Sequence, residues 1–129
     1  MANLFLYIIS ANVGIILFFP IILAPMIFKI FDSKNSTLYL RAFFPRFYLF
    51  LFITTFISGL ISFNFIYFLI LSLCALLFLV CRWPLTPAIN NAKDNNDEKT
   101  FKKLHGLSVA VLLLQLLLMT GILGLETIY

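Results

Sequence analysis

The stretch FYLFLFITTFISGLISFNFIYFLILSLCALLFLVC, residues 47–81, contains two long apolar runs with Asn64 between them. Each run, 47–63 and 65–81, approaches the length of about 20 residues that crosses a bilayer as a helix. A single helix over the whole stretch would be roughly 50 Å long and would overshoot the hydrocarbon core. Because Gly59 and Asn64 interrupt the apolar stretch, it predicts two spanning helices joined by a tight turn.

The whole chain has the composition of an integral membrane protein. Its 129 residues are 63% hydrophobic and 11% charged, and its mean hydropathy is +1.09. Soluble domains carry about 25% charged residues, and a small domain buries only part of its surface on folding. The sequence therefore excludes a soluble domain and predicts one membrane domain over residues 1–129.

Two further apolar runs, 4–28 and 104–125, lie on either side of the central pair. No Lys or Arg precedes Lys29, and the first run is longer than the apolar core of a secretory signal, so we expect a retained helix. Pro20 and Pro25 interrupt it, which indicates a kink or a broken helix lining a cavity. The predicted fold class is all-α, a bundle of four transmembrane helices.

The basic residues are distributed on one side of this arrangement. All nine lie between spans one and two or between spans three and four: Lys29, Lys34, Arg41, Arg46, Arg82, Lys93, Lys99, Lys102 and Lys103. Since cytoplasmic loops carry the Lys/Arg excess, we expect both connections in the cytoplasm and both termini in the periplasm. The Phe-, Ile-, Asn- and Lys-rich usage favours a bacterial inner membrane. Attraction to anionic lipids explains the pI near 9.3 without nucleic acid.

The connections themselves carry local signals. Residues 31–41 are predicted to form a polar loop, and Pro45 to open span two, which would place Arg46 beside a helix N-terminus. Residues 82–84 are predicted to close span three. A short amphipathic helix over 87–94 is expected at the cytoplasmic surface, followed by a capping box from Asn95 to Glu98.

Four polar residues are predicted to lie within the membrane: Asn12, Thr55, Ser58 and Gln115. Polar groups in lipid need partners. The sequence leaves two interpretations open, which are interhelical hydrogen bonds of about 0.6 kcal/mol each and a small polar pocket or transit path. No carboxylate falls near the middle of a span, which disfavours a proton-coupled pump.

A basic and aromatic cluster is expected at the inner interface, where several predicted helix ends meet. Such a cluster suits an anion, either a lipid phosphate or a small ligand. The alternative is that its cations only fix the topology by reaching the interface. The candidate ligand-binding residues are Lys29, Arg46, Tyr48, Arg82, Asn90, Lys103 and His105.

His105, the single histidine, raises the alternative of a haem- or metal-binding redox protein. No second histidine is available to complete a site. No Ser-His-Asp set, Gly-rich phosphate loop or CxxC pair is present. We therefore expect no metal, no cofactor and no enzymatic activity.

Four segments together resemble the transmembrane protein 205-like family, whose bacterial members are four-helix membrane proteins classed as a domain of unknown function. These segments are LAPMIFKIF (23–31), FFPRFYLF (43–50), PAINNAKD (87–94) and FKKLHGLSV (101–109). The family pattern maps onto Ala24, Pro25, Phe28, Pro45, Arg46, Tyr48, Asn90, Asp94, Leu104, His105 and Ser108. The chain departs from it at 109–112, which is wholly apolar where the family has an Asn.

The resemblance implies a four-helix bundle and little about chemistry. The animal relative is associated with drug resistance and export, which makes support of small-molecule transport a hypothesis. The chain also has a more distant likeness to the copper-resistance D proteins and to the membrane protoporphyrinogen oxidase, which have histidines near helix ends. The single histidine argues against carrying their copper or haem chemistry over. The expected partners are anionic membrane lipids. A homo-oligomer and a role as an accessory subunit of a larger membrane complex stay open.

Overall fold

The computed structural model describes residues 3–128, which fold into four long helices. These are α1 (Leu4–Ile30), α2 (Ser33–Ile61), α3 (Phe65–Asp94) and α4 (Glu98–Ile128), and each is long and apolar enough to cross a membrane. The predicted all-α class is confirmed, and so is the prediction of four helices long and apolar enough to span a membrane. At 1.5 Å per residue the helices are about 40–46 Å long, so they exceed a hydrocarbon core of about 30 Å.

The helices form a ring in which each packs against two neighbours. α1 contacts α2 and α4, and α3 contacts the same two helices. Within residues 3–128 no Cα pair joins the diagonals α1–α3 and α2–α4 within 8 Å. The bundle axis is filled by side chains that are at most 1% exposed: Ile9, Ile16, Leu51, Leu71, Cys74, Phe78 and Met119.

A tight turn joins α2 to α3, as predicted. Phe63 adopts the left-handed conformation with φ of 53°. The Asn64 side chain then caps α3 by accepting a hydrogen bond from the backbone N–H of Tyr67 at 3.1 Å. Gly59 lets the two helices approach closely, because a Cβ there would lie 3.2 Å from the Cβ of Leu71. These features hold α2 and α3 as an antiparallel hairpin.

The predicted polar loop over 31–41 is wrong. α2 already begins at Ser33, where the Asp32 carboxylate accepts a hydrogen bond from the Asn35 N–H at 2.8 Å. This N-cap satisfies an orphan donor of the first turn, so the polar residues start a helix. Pro45 consequently lies inside α2, and Arg46 is not beside a helix N-terminus.

Residues 82–84 do not end α3. The chain passes through a π-helical turn at Cys81–Leu85 and continues as an α-helix over Thr86–Asp94. Residues 87–94 are helical, as expected, but they continue α3. In this turn the Cys81 carbonyl accepts a hydrogen bond from the Thr86 hydroxyl at 2.6 Å.

α4 begins at Glu98, ahead of the apolar run 104–125, and the predicted capping box from Asn95 to Glu98 is absent. Asp97 caps the helix, since its carboxylate accepts from the Thr100 N–H at 3.2 Å. Hydrogen bonding from Thr100 holds the pKa of Asp97 below its usual value. The Asn95 amide instead donates to Asn91 at 3.1 Å.

Helix irregularities in three helices lie at one height, which we call the proline layer: Phe19–Leu23 of α1, Pro45 of α2 and Cys81–Leu85 of α3. The first and last are π-helical turns that contain Pro20 and Pro84. The ring of Phe19 stacks at 5.1 Å on that of Phe43, and Arg82 Nε donates to the Pro45 carbonyl at 3.0 Å. These contacts fix the common height. The predicted interruption of α1 is therefore a wide turn within a continuous helix.

Candidate functional site

Three of the predicted intramembrane polar residues form a cluster between α1 and α2. The Asn12 amide donates to the hydroxyls of Thr54 and Thr55 at 3.0 and 3.1 Å. Ser58, fully buried, donates to the Thr55 carbonyl at 2.6 Å. Asn12 thus makes the interhelical hydrogen bonds that the sequence predicts, whereas the Ser58 bond lies within α2.

Gln115 connects a different pair of helices. Its Nε2 donates to the Cys74 carbonyl of α3 at 2.8 Å, and its side chain is fully buried. Its Oε1 is buried without any hydrogen-bond partner. An unpaired buried acceptor carries a desolvation cost of about 1–3 kcal/mol.

The predicted basic and aromatic residues all belong to one end of the bundle, here called the basic end: residues 29–48 and 82–105. They do not converge on one point. Lys29, Lys103 and His105 are exposed, and Arg46 is also exposed and donates to the Ala42 carbonyl of its own helix at 2.7 Å. Tyr48 is buried against Phe44, with ring centroids 5.7 Å apart.

Arg82 is the predicted residue most firmly held. Its Nε donates to the Pro45 carbonyl, which ties α3 to α2. Its guanidinium carbon lies 5.0 Å from the ring centroid of Trp83, a cation–π contact on a side chain that is 60% exposed. An exposed indole beside a cation is typical of the membrane interface.

The main polar contact at the basic end involves Arg41, which was not among the predicted site residues. Arg41 forms a salt bridge with Asp94 and donates to the Asn90 carbonyl at 3.3 Å. Beside it, Lys93 donates to Thr37 at 3.2 Å. The contacts join the start of α2 to the end of α3. A loop over 31–41 would not place Arg41 on a helix, so the sequence prediction does not indicate these contacts. The opposite charges of Arg41 and Asp94, near the ends of neighbouring helices, are the signal that could have indicated them.

His105 lies on the exposed surface of α4. Its ring stacks on that of Phe101, one turn earlier, at 5.8 Å and nearly parallel. Within residues 3–128 there is no group of three or more His, Cys, Asp or Glu side chains that could hold a metal ion. His105 is thus an exposed side chain near the start of α4.

An apolar groove of about 420 Å³ lies between α3 and α4. It is lined by side chains on both helices around and beyond the π-helical turn of α3: Val80, Pro84, Leu85, Ala88, Leu104, Leu107 and Val111. No polar side chain lines it. The groove therefore offers an apolar surface that starts within the basic end and extends from it along α3 and α4.

Comparison of the chain with protein-family models, with curated proteins and with solved structures finds no match. The resemblance to the transmembrane protein 205-like family thus stays a prediction made from the four segments quoted above.

Proposed function

We propose that this chain is a non-enzymatic multi-pass protein of a bacterial inner membrane that binds anionic lipid headgroups at the cytoplasmic surface. The observation that carries the proposal is the segregation of charge. All nine Lys and Arg residues belong to the basic end. The opposite end, formed by the start of α1, the turn at 62–64 and the end of α4, carries Glu126 and no cation.

The cations of the basic end are mostly free to meet an external anion. That end also holds four of the five carboxylates, Asp32, Asp94, Asp97 and Glu98. Across residues 3–128 a single salt bridge forms, between Arg41 and Asp94. Eight cations, nine minus one, are left without a carboxylate partner. Each Lys or Arg near an anionic leaflet contributes about 1 kcal/mol of attraction.

These cations are spread over the surface of the basic end, so they can contact many lipid headgroups at once. The exposed lysines Lys34, Lys99 and Lys102 project from the starts of α2 and α4. The Arg41 contacts hold the start of α2 to the end of α3. Transport of small molecules and an accessory-subunit role remain hypotheses from the sequence.

Lipid selectivity in nanodiscs tests the proposal. The nanodiscs contain equal amounts of dioleoylphosphatidylglycerol and dioleoylphosphatidylcholine, and electron spin resonance of spin-labelled lipids measures which lipid contacts the protein. We expect enrichment of phosphatidylglycerol that weakens as salt is raised, because exposed charges are screened. The variant Lys34→Gln/Lys99→Gln/Lys102→Gln should reduce this enrichment.

Two matched variants separate charge from structure. The triple Lys→Arg variant at the same positions keeps the charge and should keep the enrichment. Glu126→Gln changes one charge at the opposite end and should leave the enrichment unchanged. Equal association of the wild type with both lipids would overturn the proposal.

A further inference from the structure

The apolar groove between α3 and α4 has one wall on each helix, and the two walls are of similar length. Val80, Pro84 and Ala88 form the α3 wall, and Leu104, Leu107 and Val111 form the α4 wall. Because both helices are of membrane-spanning length and hydropathy, the medium that meets this surface is lipid. A wholly apolar groove in that position fits a hydrocarbon chain.

The groove has a direction set by the antiparallel helices. It runs along the helix axes from Val80 and Val111 towards Ala88 and Leu104, that is, towards the basic end. At 1.5 Å per residue this run is about 10–12 Å long. Its inner part lies deeper in the span, and its mouth lies beside Lys103, which directly precedes Leu104.

Lysines stand at the mouth of the groove. Lys103 precedes Leu107 by four residues, and residues four apart lie on the same helix face. Lys102 lies about 100° further round the helix, away from the groove. On the α3 side, Lys93 Nζ lies 6.0 Å from the ring of Phe101, one turn before the groove begins. Lys93 and Lys103 therefore bring two ammonium groups to the mouth, next to a turn that also carries Asp97 and Glu98.

We propose that the groove binds one acyl chain of an anionic glycerophospholipid, with the lipid phosphate paired to Lys103. The inference rests on the proposed function and adds a discrete site to a surface that otherwise meets many lipids. The small side chains of Pro84 and Ala88 leave the space that the acyl chain fills. Lys103 is exposed, so its ammonium is free to donate to the phosphate.

Retention of lipid during purification tests the site. The full chain is taken from the same phosphatidylglycerol/phosphatidylcholine nanodiscs into mild detergent, and native mass spectrometry counts the lipids that stay bound. For the wild type we expect a one-to-one complex with phosphatidylglycerol. Lys103→Gln should weaken it about tenfold, because a charge-assisted hydrogen bond is lost.

Ala88→Leu should displace the lipid by filling the groove with its own side chain. The control Ala110→Leu makes the same change on an exposed face of α4 outside the groove, and Lys102→Gln removes the neighbouring charge. Both controls should retain the bound lipid. Far-UV circular dichroism and thermal melting show that each variant is folded.

The outcomes separate this inference from the proposed function. Charge-dependent enrichment of phosphatidylglycerol without a retained lipid, or equal losses in Lys102→Gln and Lys103→Gln, would overturn the discrete site and leave the proposed function standing. Retention of phosphatidylcholine in place of phosphatidylglycerol would contradict the role of Lys103. Loss of both selectivity and retention would overturn both proposals.

Discussion

Gln115 provides a test of how this bundle tolerates polarity at its axis. The side chain makes one hydrogen bond, to the Cys74 carbonyl, while its Oε1 is buried and unpaired. Methionine has nearly the same shape and length as glutamine and carries no strong polar group. Gln115→Met therefore removes both the bond and the unpaired acceptor without creating a cavity.

The expected change in stability follows from two opposing terms. The interhelical hydrogen bond contributes about 0.6 kcal/mol on average in membrane proteins. The unpaired acceptor costs about 1–3 kcal/mol. The Cys74 carbonyl lies inside a helix and retains its backbone partner. The balance predicts that Gln115→Met stabilises the bundle by about 0.5–2 kcal/mol.

Asn12→Leu is the matched control, since Asn12 is also buried and polar but is fully paired. The change removes two donated hydrogen bonds and leaves the Thr55 hydroxyl without its Asn12 donor. At about 0.6 kcal/mol for each bond, it should destabilise the bundle by about 1 kcal/mol or more. The two polar-to-apolar changes should thus have opposite signs.

Equilibrium unfolding measures both variants. Protein in mixed micelles is titrated with sodium dodecyl sulfate, and the helical signal in far-UV circular dichroism gives the free energy of unfolding. Destabilisation by Gln115→Met of more than about 1 kcal/mol would refute the reasoning. It would mean that Oε1 makes a favourable interaction in the membrane.

Three further outcomes are expected. Gly59→Leu should destabilise the bundle by about 1–3 kcal/mol through overpacking against α3, whereas Gly121→Leu, where nothing lies within 4 Å of the new Cβ, should be near neutral in the same titration. Arg41→Ala should speed hydrogen exchange of the amides in Thr86–Asp94 by releasing the end of α3, and unchanged exchange would contradict its anchoring role. A cysteine introduced at Asn64 should react with a membrane-impermeant maleimide on intact cells and one at Asn95 should not; the reverse pattern would invert the proposed topology.

The sequence predicts the number of spanning helices and the turn between α2 and α3 because both depend on local apolar length. It does not predict where the helices end. Hydropathy marks the edge of the hydrocarbon, whereas a helix ends only where its backbone hydrogen bonds find other partners. Asp32 caps α2 well before the apolar run begins, and the Thr86 hydroxyl helps carry α3 past its proline.

The sequence predicts only part of the candidate site, because it indicates depth along the chain but not position around the bundle. Charge and distance from the apolar runs place Lys29, Arg82 and His105 at one end of the bundle, and the structure places them there. The position of a side chain around the bundle depends on helix packing, which depth along the chain does not reveal. Arg41 and Asp94 therefore pair across α2 and α3, while the residues expected to converge lie apart.

The proline layer places the most easily bent parts of three helices at the same height. Proline and π-helical turns lower the bending stiffness of a helix where they occur. Within the described chain, α4 alone crosses this height with neither feature, so we expect bending at this height in α1, α2 and α3 and not in α4. When the surrounding bilayer thins, the basic end can tilt at the proline layer while the buried core of the bundle stays packed.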